Sequence, residues 1–321
     1  MKHLFIVNPA AGGQNSTALI EKMVSAAFKG REDTYEIYTT RAPMDAYGKI
    51  RTLAAESGDE LRIYACGGDG TLNECVNGAA NQRHLAVTHV PIGTGNDFIK
   101  TFFGERGADI KKVSAAANGA FSELSALLDG EVREMDLIEV NGRYCLNISS
   151  VGLDARIGGE VHRYSRRFRG NAAYAASAAV NIARGINMRL RVRFGNNTFS
   201  DRFTMICACN GRYYGGMFNP MPEAKPDDGI IEFLLLRHMS RLEFLQHVRT
   251  YAQGRYEELG AYITHLRGTR LDIDSDHVVD IVIDGEIMRA RKFSFSLVPG
   301  AVRFIFPRGL RYFEREQAGS D

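Results

Sequence analysis

An α/β unit with a doubly wound parallel sheet, followed by an antiparallel β-sandwich, is the fold class this sequence predicts. Three observations carry the prediction. Over residues 1–130, short apolar runs alternate with helix-length segments. Two glycine-rich loops fall at the ends of such runs. From residue 131 the pattern changes to short strands separated by turn signals.

Leu4–Val7 reads as the first strand, because it meets Asn8-Pro9 too soon to serve as the apolar core of a signal peptide. A helix over Ser16–Lys29 follows, then strand Tyr35–Thr39, helix Pro43–Ser57, strand Leu61–Cys66, helix Thr71–Ala80 and strand Ala86–Val90. Ligands of such sheets bind at the carboxyl ends of the strands, where the glycine loops fall. In the second half, strands are expected at Glu131–Val140, Tyr144–Ser149, Met188–Arg193, Phe203–Asn210, Ile230–Leu236, Arg270–Ile273, Val278–Ile283, Phe293–Leu297 and Val302–Phe306. One helix interrupts them at Ser240–Gln253, opened by the capping box Ser240-x-x-Glu243. The tail after Pro307, with Arg308, Arg311 and Arg315, is expected to return to the first domain. Residues 303–321 would then complete domain 1–130, leaving 131–302 as the sandwich.

Composition excludes several classes. A chain of 321 residues suggests two domains at about 150 residues each. With 40 Lys+Arg against 38 Asp+Glu, the net charge of +2 provides no strong field for nucleic acid. Cys66, Cys75, Cys145, Cys207 and Cys209 form no C-x-x-C pair, against both a disulfide framework and a structural zinc site, so a cytoplasmic location is expected. The alanine-rich stretch from Asn171 to Ile186 is broken by Asn181 and Arg184, so no transmembrane segment is expected and membrane contact should be peripheral.

Gly67-Gly68-Asp69-Gly70-Thr71 and Gly93-Thr94-Gly95-Asn96-Asp97-Phe98 carry the chemistry. Glycines let backbone amides approach an anion, a following helix adds its positive end, and an aspartate beside phosphates can hold a divalent cation. Thr71-Leu72-Asn73-Glu74 reads as a capping box that starts the following helix. Either loop alone is ordinary turn composition, but two at successive strand ends point to one phosphate crevice. A third turn, Asn8-Pro9-Ala10-Ala11-Gly12-Gly13-Gln14-Asn15-Ser16, lacks the Gly-Lys-Ser/Thr ending of a P-loop.

Together, Gly-Gly-Asp-Gly-Thr-Leu-Asn-Glu and Gly-Thr-Gly-Asn-Asp-Phe resemble the catalytic domain of the diacylglycerol kinase and sphingosine kinase superfamily, and within it the soluble bacterial lipid kinases. Motif order and spacing resemble that family over nearly the whole chain. The resemblance implies a NAD-kinase-like α/β domain, a β-sandwich domain and ATP bound between them. It implies nucleotide contacts at Asn8, Ala10, Ala11, Gly12, Gly13, Gln14, Thr40, Gly67, Gly68, Asp69, Gly70, Thr71, Leu72, Asn73, Thr94 and Asp97, with Asp69 also catalytic. Many members place a basic residue at the end of the first loop, where this chain has Gln14-Asn15-Ser16.

Two acidic turns remain. Lys225-Pro226-Asp227-Asp228-Gly229-Ile230 is by composition a turn, and the resemblance implies a structural Mg²⁺ site there, formed by the Asp228 side chain and the carbonyls of Lys225 and Ile230. Ile283-Asp284-Gly285-Glu286 is a strong hairpin signal. By the resemblance, Glu286 takes the proton from a lipid hydroxyl and Asp284 supports it. Asp136, Asn147 and Asp154 match weaker family positions and read as structural, and His162–Arg169 reads as a solvated loop.

The resulting expectation is an ATP- and Mg²⁺-dependent kinase acting on a lipid hydroxyl at a membrane surface, with diacylglycerol the leading acceptor. A small-molecule kinase resembling NAD kinase and an inactive nucleotide-binding regulator are the competing readings. A homodimer is allowed, and nucleic acid is not an expected partner.

Overall fold

A computed structural model describes residues 1–13, 16–164 and 171–312. The chain divides into two compact units, Met1–Asp136 with Pro299–Asp321, and Leu137–Val298. It passes from one to the other within single strands. Gln14 and most of the His162–Arg169 stretch lie outside the described residues.

In the first unit the elements are β1 (Lys2–Val7), α1 (Ser16–Ala27), β2 (Thr34–Thr39), α2 (Asp45–Glu56), β3 (Leu61–Gly67), α3 (Asp69–Ala79), β4 (Leu85–Pro91), α4 (Asp97–Lys100), α5 (Ile110–Ser122) and α6 (Leu124–Leu128), before β5 (Glu131–Val140) leaves it. The sheet runs β2-β1-β3-β4, parallel throughout. Every residue of β4 and all but the first of β1 are buried, as expected for strands covered on both faces. After β1 the chain moves outward to β2 and then crosses back to β3. The order therefore reverses between β1 and β3, the switch point where open α/β sheets bind ligands.

The second unit contains β6 (Arg143–Cys145), β7 (Ile148–Gly152), α7 (Leu153–Tyr164), α8 (Asn171–Arg184), β8 (Met188–Phe194), β9 (Asn197–Cys209), β10 (Ile231–Arg237), α9 (Arg241–Ala252), β11 (Ile263–Gly268), β12 (Arg270–Ile283) and most of β13 (Glu286–Phe306). The long strands β9 and β12 each pair β8 through one half and β7 through the other, all antiparallel. The sheet is thereby folded over a core that includes Ile138, Val192, Ile206, Phe233, Ile281 and Phe295. This is the β-sandwich, and α9 carries the capping box at Ser240 and Glu243 that the sequence predicts. The end of β13 belongs to the first unit, where Arg303 and Phe304 pair parallel with Ala86 and Val87 of β4, and the Arg308 amide donates to Ala126.

Several local expectations are corrected. Arg270–Ile273 and Val278–Ile283 are one strand with an irregularity between Asp274 and Val279, and Phe293–Leu297 and Val302–Phe306 are likewise parts of β13. Tyr144–Ser149 is split between β6 and β7. Two helices, α7 and α8, interrupt the strands in addition to α9, and His162, Arg163 and Tyr164 end α7 rather than forming a loop. The buried row of α8 is Ala173, Ser177 and Asn181, spaced at four, so polar residues occupy its inward face and blur the apolar period.

Thr71 and Glu74 form no capping box. α3 begins at Asp69, with Gly68 as its cap residue, so Thr71 lies inside the helix. The Glu74 carboxylate instead accepts the amides of Met44 and Ala46, at 2.9 and 3.2 Å, and so caps α2. Glu74→Ala leaves these amides without that acceptor and is expected to lower stability by about 1–2 kcal/mol in denaturant melts.

Candidate active site

In the first unit, the turns after β1, β3 and β4 meet through named contacts. The Asn8 amide donates to the Cys66 carbonyl, its side-chain oxygen accepts from the Ala10 amide, and its Nδ2 donates to Thr71 Oγ1 at 3.1 Å. This ties the first turn to α3. Gly12 and Gly13 have left-handed φ values of 73° and 91°. Thr40, at the end of β2, donates its amide to the Val7 carbonyl at 2.9 Å, which places it beside the same strand end.

The Gly67 carbonyl accepts from the amides of Ile92 and Gly93, at 3.0 and 3.1 Å. His89 reaches the same oxygen through Nε2 at 3.1 Å. A carbonyl only accepts, so Nε2 carries the proton, and burial lowers the ring's pKa to about 4, leaving it neutral at pH 7.

Asp69 joins the two glycine loops. Its Oδ2 accepts the Asn96 amide at 2.8 Å and its Oδ1 the Asp97 amide at 2.6 Å. Burial and the nearby Asp97 charge push the Asp69 carboxyl upward, while the two amides and Lys100 pull it down. The approach requires glycine. A Cβ on Gly93 would lie 2.5 Å from Gly68 Cα, and one on Gly95 would lie 2.3 Å from Asp69 Oδ2. Gly95→Ala is therefore expected to part the loops and to speed amide hydrogen exchange at Asn96 and Asp97 at least about tenfold, with a smaller effect on melting temperature.

Thr94 is exposed at the loop tip, whereas Leu72 is 2% exposed, with its amide bonded to the Gly68 carbonyl. Gly70 and Asn73 lie on the first turns of α3. Three residues here were not singled out from sequence. Asn96 holds the loop with left-handed φ of 52° and donates Nδ2 to the Gly93 carbonyl and to Asn118 Oδ1. Lys100 Nζ lies 2.7 Å from Asp97 Oδ1, with its side chain 2% exposed. His89 is the third, and a histidine inside a mostly apolar strand is the signal that could have found it.

In the second unit, Asp284 and Gly285 form the two-residue turn between β12 and β13, with φ of 48° and 94° and Ile283 opposite Glu286. The Asp284 carboxylate accepts the amides of Leu146, Asn147 and Ile148, at 2.7, 2.9 and 3.2 Å, and the Cys145 thiol at 3.0 Å. It anchors the chain between β6 and β7. Glu286 is exposed. Asn147 donates Nδ2 to the Tyr213 carbonyl, and Asp154 accepts from Ser150 Oγ while burial raises its pKa. Asp136, in the first unit, accepts the Gly300 amide.

Asp228 is exposed and its Oδ1 accepts the Ile230 amide at 3.1 Å. The Asp228 carboxylate and the backbone carbonyls of Lys225 and Ile230 are by type oxygen donors, the kind that suits a hard cation such as Mg²⁺. Among the described residues no group of three or more His, Cys, Asp or Glu could hold a metal ion.

Glycine loops latched together at the carboxyl ends of β3 and β4, beside the switch point of a parallel sheet, joined to a folded-over β unit, define the class of protein. Residues 2–140 match the diacylglycerol kinase catalytic domain, and residues 147–306 match the YegS C-terminal NAD kinase beta sandwich-like domain. The chain belongs to the diacylglycerol kinase catalytic-domain family of lipid kinases. A Staphylococcus aureus Mu3 protein named "Putative lipid kinase" is 25% identical over 244 residues, 76% of each chain. The fold is similar to a Bacillus anthracis crystal structure titled "a putative diacylglycerol kinase", with TM-score 0.68, 22% identity and coverage of 96% of this chain and 97% of that one. A second B. anthracis diacylglycerol kinase structure gives TM-score 0.65 at 22% identity, covering 96% and 98%.

Proposed function

We propose that this protein transfers the γ-phosphoryl group of ATP to the hydroxyl of a membrane lipid, with diacylglycerol the acceptor and phosphatidic acid the product. The observation that carries this reading is the Asp69 latch, which brings two glycine loops together in a chain of the lipid kinase family.

In this reading, amides from the turns after β1, β3 and β4 bind the phosphates of ATP. Asp97 and Thr94 orient them from the second glycine loop. Phosphoryl transfer has a loose transition state, so positioning and charge neutralisation supply most of the acceleration. Mg²⁺, when bound, supplies positive charge against the phosphates and firmness to the Lys225–Ile230 turn. Glu286 takes the proton from the attacking hydroxyl as the oxygen–phosphorus bond forms and ADP leaves. The role falls to Glu286 because the Asp284 oxygens already accept four donors, whereas Glu286 is exposed. Asp284 then supports it by fixing the turn.

The acceptor lies in a bilayer, and no helix among the described residues is long and apolar enough to cross one, so contact with the membrane is peripheral in this reading. The test is a kinase assay with radiolabelled ATP, a panel of lipids in mixed micelles and NAD as an alternative acceptor, with and without Mg²⁺. Label in phosphatidic acid, dependent on Mg²⁺, is the expected result. Label in NADP would replace the lipid reading, and single-turnover reactions without any product would leave a nucleotide-binding regulator.

A further inference from the structure

Lys100 lies outside both glycine motifs' phosphate-facing positions, yet its ammonium is buried against them. Its side chain is 2% exposed and Nζ is 2.7 Å from Asp97 Oδ1, whose own side chain is 10% exposed. A buried ammonium is unfavourable unless an opposite charge meets it. Here the pairing works in both directions, because Asp97 is also buried and has the Asp69 carboxylate as a neighbour. Two carboxylates this close repel unless a cation stands beside one of them.

The contacts form a connected series. Lys100 Nζ holds the Asp97 carboxylate, the Asp97 amide donates to Asp69 Oδ1, and the Asn96 amide donates to Asp69 Oδ2. α4 is a single turn, Asp97–Lys100, so the loop's shape depends on these side-chain contacts rather than on a long helix behind it. The exposed part of the loop is Thr94, whereas the ammonium faces inward.

We propose that Lys100 is a positioning residue for phosphoryl transfer: by holding the Asp97 carboxylate in place beside Asp69, it sets the Gly93–Asp97 loop in the form that binds ATP. This rests on the kinase reading above. It also gives a cationic residue a part in the site of a chain whose first loop carries Gln14-Asn15-Ser16. Lys100 acts through Asp97 and not by touching phosphate itself.

A double-mutant cycle tests it, using Lys100→Met, Asp97→Asn, the double variant and Lys100→Arg, with ATP affinity from calorimetry, KM and kcat for ATP, and thermal melts. Lys100→Met is expected to weaken ATP binding about tenfold or more and to match Asp97→Asn. The double variant should bind no more weakly than either single one, and should melt above Lys100→Met, in which the buried Asp97 carboxylate loses this ammonium. Lys100→Arg should recover affinity to within about fivefold of wild type. Folded Lys100→Met that binds ATP like wild type, with only a lower melting temperature, would show a merely structural role and overturn the proposal. Losses that multiply in the double variant would overturn it as well, by making Lys100 act independently of Asp97. If Lys100→Met does not fold, a folded double variant and Lys100→Arg carry the decision: an Arg variant that folds but binds ATP more than tenfold more weakly counts against it. Wild type that binds no ATP removes the kinase reading itself, a result distinct from all of these.

Discussion

Asp69→Ala is expected to lower turnover by about three decades or more and to weaken ATP binding with it. The Asp69 carboxylate is the acceptor for two amides of the opposite loop, at 2.6 and 2.8 Å. Removing it leaves both donors without that partner, at about 1–3 kcal/mol each if they stay buried. The loops then relieve the deficit by moving apart, which displaces the amides expected to face the phosphates. Asp69→Asn keeps the shape but turns a donating nitrogen toward one of the two amides, so it should recover only part of the activity. Steady-state kinetics with ATP calorimetry checks both variants. An Asp69→Ala protein with kcat within tenfold of wild type would mean that the loops hold their arrangement without the latch.

Glu286→Gln is expected to reduce kcat by about two to four decades while ATP affinity stays within about twofold of wild type. The separation between chemistry and binding follows from the position of the residue. Glu286 is exposed at the first position of β13, beyond a turn already fixed by Asp284, so glutamine disturbs neither the hairpin nor the phosphate loops. In the proposed mechanism, loss of the base removes one contribution to the rate, whereas loss of Asp69 disrupts positioning and binding together, which is why Asp69→Ala should be the more damaging. Unchanged turnover in Glu286→Gln would remove Glu286 from the mechanism.

Much of the first unit was legible because its signals are local. Buried parallel strands read as continuous apolar runs, and the turns after them carry glycine, as in Leu61–Gly67 followed by Gly68 and Asp69. α9 was legible for the same reason, since its capping box joins residues three apart. The second unit was harder. β12 and β13 are long strands whose irregular or exposed stretches look like turns in sequence, so single strands were divided. α8 was not legible because Ser177 and Asn181 occupy its buried row, where Ser177 Oγ donates to the Ile157 carbonyl and Asn181 Nδ2 to the Ser177 carbonyl and Glu160. Buried polar groups with internal partners erase the alternation on which pattern reading depends.

The chain's residues alone determined the order of strands and helices from β1 to β4, the two glycine loops, the Asp-Gly turn and the family, because each is written in neighbouring positions. Tertiary structure decided what the polar side chains in those motifs do. Glu74 caps α2 instead of its own helix, Asp69 bonds to amides 27 and 28 positions along the chain, Asp284 takes donors 136 to 139 positions away, and Lys100 is folded in beside Asp97. A carboxylate accepts whichever donors the fold brings within about 3 Å, and that choice is made by strand order and loop closure, which no short stretch of sequence contains.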